Sequence, residues 1–197
     1  MEKLLVEALS KGVIKKEDLV VLALLAMLSE GTERKYFDRA RDGVKLSKLL
    51  FLAAYGEFDE SGRVVGLRRE PRVSIDFVVY LFGVTTSTIY DSIERLKRAN
   101  LIEVLPNDRA RYVVHPSLEH VMNALKEVDP ELHEVLSILY ENYANIENHE
   151  LTALVNNLIG VNSPEAKAIF FGVSVRKLIQ LAHNLRELEQ EGKVVDV

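Results

Sequence analysis

Thr86, Ser87, Thr88, Tyr90, Arg95 and Arg98 fall within one short run, GVTTSTIYDSIERLKRANLIEV at 83–104. Hydroxyls at the start of a helix, with arginines further along, are side chains with which a helix reads DNA. The first turn meets base edges while cations nearby hold phosphates. Arg109 and Arg111 follow on an expected β-hairpin, and Arg68, Arg69 and Arg72 precede the run, where they could clamp the backbone. In this reading Tyr90 touches a phosphate or a thymine methyl. Asp91 and Glu94 share the outward surface, and a carboxylate facing phosphates is repulsive unless it accepts from a cytosine amine. Each side chain also has a plainer use. The Thr/Ser cluster can cap a helix, Tyr90 can pack partly under the hairpin, and the arginines can stand in solvent or pair with those carboxylates.

Little else in the chain is equipped for chemistry. There is no cysteine, which excludes a disulfide framework, a thiolate metal site and a cysteine nucleophile together. His115, His120, His133, His149 and His183 show no His-Glu-x-x-His spacing. His115, Glu119 and His120 are close in sequence, but a helix start at Ser117 would point them in different directions. Gly83 and Gly172 are isolated rather than part of a phosphate-binding glycine run. The expectation is a non-enzyme without cofactor or metal.

The elements that must position the run are mainly helical. Residues 17–29 (EDLVVLALLAMLS) are apolar nearly all round, as a buried central helix requires. Residues 44–55 place Leu46, Leu49, Leu50 and Ala53 at helical spacing, with Lys45 and Lys48 expected outward. EFDESGRVVGLRREPR reads as a loop or weak hairpin. Ser74 can cap a helix through SIDFVVYLF, which Gly83 ends. The helix over 86–99 turns Ile89, Ile93 and Leu96 inward and Ser87, Asp91, Glu94, Arg95 and Arg98 outward. Asn100 suits a left-handed stop, and LIEVL with ARYVVH forms a hairpin around PNDR. Pro116 and Ser117 open the helix LEHVMNALKEV, and further helices run to the C-terminus. Residues 1–128 are expected to form one domain and 129–197 an acidic helical extension suited to oligomerisation. Phe82-Gly83-Val84-Thr85 is echoed by Phe171-Gly172-Val173-Ser174. Aligning both ends of the helices that follow needs a three-residue insertion, so shared helix-start chemistry explains the echo better than duplication.

Charge is unevenly spread. The net charge of −5 divides into −1 over 1–62, +3 over 63–112 and −7 over 113–197. Overall acidity argues against a passive nucleic-acid coat, while the one positive third holds the opening run. The acidic last third suits a basic protein partner or a second copy of the chain. The N-terminus is charged throughout and has no uninterrupted apolar region, unlike a signal peptide. The most apolar run, LVVLALLAML, is half the length of a membrane span. A cytoplasmic protein with no membrane partner is expected.

The run 83–104 resembles the turn, recognition helix and first wing strand of winged helix-turn-helix regulators. Their Gly-Val-Ser turn, Ser/Thr-Val-Tyr helix start and Leu-x-x-x-Gly-Leu-Ile exit are matched here, with Asn100 in place of the exit glycine. A longer resemblance covers about half the chain, from residue 17 to 115. KLSKLLFLAAYGEF followed by YLFGVTTSTIYDSIERLKRANLIEV is similar to archaeal and phage-associated proteins related to the Panacea antitoxin domain, with Val84 standing at the family's proline. The resemblance implies a mainly α winged-helix fold with a small β-hairpin wing and a C-terminal helical extension. It is compatible with two functions. The first is a DNA-binding transcriptional regulator, in which helix 86–99 enters the major groove of double-stranded DNA and Arg109 and Arg111 reach a flanking phosphate or minor groove. The other is an antitoxin-like or adaptor module that contacts a protein partner without binding DNA. A homo-oligomer fits either.

Overall fold

The computed structural model describes residues 1–30, 36–105 and 108–190. The chain is mostly helical, with three small antiparallel sheets among the described residues. At its centre lies α2 (Lys16–Glu30), which follows α1 (Glu2–Ser10) and is buried on every side from Asp18 to Ser29. That is why its apolar residues show no stripe: α3, α4, α5 and α6 all pack against it. β1 (Tyr36–Asp38) leads into α3 (Arg39–Tyr55), whose first turn is capped by the Asp38 carboxylate accepting from the backbone N–H groups of Ala40 and Arg41.

α3 buries Leu46, Leu49, Leu50 and Ala53 as expected. Lys48, expected outward, is 1% exposed, because α7 and β5 cover the opposite face of α3 as well. Lys45 is half-buried and donates to the Ala144 carbonyl at 3.0 Å.

β2 (Gly56–Phe58) and β3 (Val64–Leu67) form the hairpin that the glycine-rich stretch suggested. The next expectation fails. The segment from Ser74 is not a helix; β4 (Val78–Tyr80) pairs with β5 (Gly83–Thr85) in a tight hairpin. The physical reason comes from nearly a hundred residues away. Val79 donates to the Val173 carbonyl at 3.1 Å and accepts from the Gly172 N–H at 2.8 Å, while Val175 donates to the Phe77 carbonyl at 2.9 Å. These partners favour an extended backbone for the β-branched pair Val78-Val79. β4 is therefore flanked by both echoing segments, 83–85 on one edge and 172–175 on the other. Gly83 and Gly172 both have positive φ, 83° and 75°, and each segment leads into a helix.

α4 (Thr88–Arg98) ends at Asn100, whose φ of 54° is the left-handed stop its type suggested. β6 (Ile102–Leu105) and β7 (Asp108–Val114) form the expected hairpin, and β1 adds to the far edge of β7, giving the order β1-β7-β6. α5 (Leu118–Val128) is capped by Ser117 and α6 (Pro130–Asn142) by Asp129. α7 (Asn148–Leu158), α8 (Pro164–Ile169) and α9 (Val175–Gln190) are the last elements of the described residues. Packing is continuous across the boundary expected at 128/129. Leu132, Leu136, Leu139, Leu151, Val155, Val175 and Ile179 belong to the same hydrophobic cluster as Leu19–Leu28 and Leu49–Leu52. Among the described residues, no helix is long and apolar enough to cross a membrane.

Candidate interaction surface around helix α4

α4 buries Ile89, Ile93 and Leu96 against the core and leaves Ser87, Tyr90, Asp91, Glu94 and Arg98 exposed, as their spacing requires. Two neighbours behave otherwise. Thr86 is buried, and its hydroxyl accepts from the Thr88 N–H at 3.1 Å, so it organises the helix start and is not available to a base. Thr88 is half-buried. Arg95, expected outward, lies down on α2. Its Nε and Nη2 each donate at 2.8 Å to the two carboxylate oxygens of the fully buried Asp18. That bidentate hydrogen bond raises the Arg95 pKa above its ordinary value, against the opposing effect of burial.

Four other arginines are also engaged. Arg111 donates from Nε to Asp38 at 3.1 Å, with its guanidinium carbon 4.9 Å from the centre of the Tyr36 ring. Burial would raise the Asp38 pKa, but hydrogen bonds from Arg111 and from the backbone of Ala40 and Arg41 outweigh it and hold it low. Arg68 and Arg72 converge on Glu131 of α6, and Arg72 also donates to the Gly56 carbonyl at 2.7 Å. Arg69 reaches Glu187 and Asn184 of α9 at 2.9 Å each. The three arginines expected to clamp a DNA backbone thus tie β3 and the loop after it to the acidic C-terminal helices. Arg98 has no ion-pair partner among the described residues. The side chain of Arg109 lies outside the described residues. The exposed face of α4 therefore carries Asp91, Glu94 and Arg98, with Lys97 folded back on Glu94 at 2.8 Å.

Tyr90 does not pack under the β6–β7 hairpin. It stands 56% exposed, with the Arg39 guanidinium carbon 5.9 Å from its ring centre. Beside it the β4–β5 turn presents Tyr80, Leu81 and Phe82, the last 69% exposed. Tyr80 stacks on Phe171 at 4.7 Å between ring centres, and α8 adds the exposed Ile169. The sequence hides this aromatic surface, because SIDFVVYLF reads as a helix capped by Ser74.

Lys48 holds the turn from beneath. Its ammonium donates to the carbonyls of Phe82, at 2.9 Å, and Val84, at 2.5 Å, with no carboxylate partner among the described residues. Burial, with a smaller contribution from the charge of Lys167, lowers its pKa from 10.5 to about 8. Below pH 8 both folded and unfolded chains hold this proton, and the buried charge costs about 3 kcal/mol. Between pH 8 and 10.5 the unfolded chain binds more protons than the folded one, so this group makes stability rise with pH. Lys48→Met should lack that rise. Urea unfolding at about pH 7 and about pH 10.5 should show the wild type gaining about 3 kcal/mol relative to the variant. A difference independent of pH would mean that the ammonium is effectively solvated.

No metal site accompanies this surface: among the described residues, no group of three or more His, Asp or Glu side chains is placed to hold an ion. His115 lies 3.9 Å from Glu103, while His120 Nδ1 is 2.6 Å from the Ser117 hydroxyl, so the two imidazoles face different partners. Compared with protein-family models, with curated proteins and with solved structures, the chain matches none.

Proposed function

We propose that the chain is a protein-interaction module, antitoxin-like or adaptor in kind, built on a winged-helix scaffold. The order α2-β1-α3-α4-β6-β7, with strands arranged β1-β7-β6, is consistent with that scaffold; β2 to β5 form an insertion between its second and third helices. It also agrees with the resemblance to Panacea-related proteins. One observation carries the functional reading. The most exposed part of this surface is apolar and aromatic, formed by Tyr80, Leu81, Phe82, Ile169 and Phe171. Contiguous apolar surface of this kind marks a contact with another protein. Of the cations that phosphates would need, Arg95, Arg111, Arg68, Arg72 and Arg69 are committed to Asp18, Asp38, Glu131 and Glu187, which leaves Arg98 exposed on α4.

DNA-binding regulation is the second reading. It is favoured by Ser87, Tyr90 and Arg98, which share the exposed face of α4 as a recognition helix would present them. A photoreactive residue at position 81 separates the two. On irradiation in the source cells it should capture one protein, whereas the same residue at the exposed position 134 on α6 should not.

A further inference from the structure

We propose that the groove between α7 and the β4–β5 turn is a nucleotide-binding site, in which a base stacks on Phe82 and a phosphate meets Lys167. α7 supplies its floor. Asn148, Thr152 and Asn156 form one row at four-residue spacing, and His149, Ala153 and Asn157 form the adjoining row. Ala153, the small residue in the middle, leaves room between the polar side chains. Phe82, Asn162 and Lys167 close the sides, and the cavity measures about 500 Å³, within the range of small-molecule sites.

Three features point to the ligand. First, the polar side chains are unspent. Asn148 donates to the Arg41 carbonyl at 3.1 Å, but its Oδ1 and that of the buried Asn156 are enclosed without a hydrogen-bond partner. Asn156 Oδ1 faces Gly83, so this amide braces the wall of the groove beneath the β4–β5 turn. Asn157, Thr152 and Asn162 likewise make no side-chain hydrogen bond among the described residues, leaving several amides for the edge of a base. Second, among the described residues no carboxylate lines the groove, while the ammonium of Lys167 does, and the buried ammonium of Lys48 lies close enough to feel its charge. This excess of positive charge selects an anion. Third, the exposed ring of Phe82 offers a flat apolar face at the rim, which a bare inorganic anion would not use. A base, polar hydroxyls and a phosphate together use all three features.

The site does not depend on the protein-docking reading, since the assay contains no partner. Calorimetric titration of the purified full chain with AMP, adenosine and inorganic phosphate separates the contributions. AMP should bind well below millimolar and more tightly than either fragment. Phe82→Ala should weaken AMP and adenosine roughly tenfold or more, the usual loss of one base–aromatic stack. Lys167→Met should weaken AMP about tenfold and leave adenosine unchanged. Phe82 is exposed and Lys167 half-buried, and unchanged circular dichroism and melting would confirm that the variants fold. No binding of AMP up to about 1 mM, or inorganic phosphate bound as tightly as AMP, or AMP binding indifferent to both substitutions, would overturn the assignment.

Discussion

Arg95→Ala should destabilise the protein by about 3–5 kcal/mol, read as a lower denaturant midpoint. The magnitude follows from what remains behind. Asp18 is fully buried at the start of α2, and among the described residues its carboxylate accepts from the Lys15 N–H, at 2.8 Å, and otherwise only from Arg95, which supplies both other hydrogen bonds. Removing the guanidinium strands a carboxylate beneath α4, and α4 loses its anchor on the central helix. Arg95→Ala/Asp18→Asn should recover part of the loss, because a neutral amide is far cheaper to bury than an unpaired charge. A loss below about 1 kcal/mol in the single variant would mean that the pair behaves as a solvated surface bridge. The result also bears on function: weaker DNA binding by an Arg95 variant would report a displaced helix, not a lost phosphate contact.

Gly83→Ala should cost about 3 kcal/mol, and Gly172→Ala about 1 kcal/mol. Both glycines adopt positive φ, so any side chain strains either backbone. Only Gly83 is also crowded. A Cβ there would stand 1.8 Å from Asn156 Oδ1, whereas at Gly172 it would meet nothing within 4 Å. Gly83→Ala/Asn156→Ala should therefore recover the steric part of the loss but not the conformational part. Thermal unfolding of the four chains, wild type and three variants, checks this. Equal losses at the two glycines would show that α7 moves aside freely.

Much of the scaffold was legible from local chemistry. Nearly uniform apolarity located α2, three apolar positions located α4, Asn100 marked its end, and β-rich runs around a turn marked β6 and β7. Those signals lie within one element and do not depend on distant partners. The misreadings at Val78–Tyr80, at Lys48 and at the arginines involve partners remote in sequence. Val78-Val79-Tyr80 looks helical until residues 172–175 lie along its edge. Lys48 reads as a solvent-facing lysine until α7 and β5 cover it. The arginines posed a harder problem. Helical spacing turns Arg95 outward, but nothing near it reveals that Asp18, 77 residues earlier, claims its Nε and Nη2. The capping role of Thr86 was legible in its type and position, and that local use displaces it from the outward surface. The exposure of Asp91 and Glu94, read from spacing, places two carboxylates on the face that would have to approach DNA.

The cross-link from position 81 is the most direct test of a protein-docking role. Captured material from the source cells is split into protein and nucleic acid, identified by mass spectrometry and by sequencing. The docking reading predicts one polypeptide adduct, lost when Phe171→Glu places a charge in the aromatic surface, and no enriched DNA. DNA fragments sharing a short common element, with no protein adduct, would contradict it and return α4, Ser87, Tyr90 and Arg98 to the reading of bases.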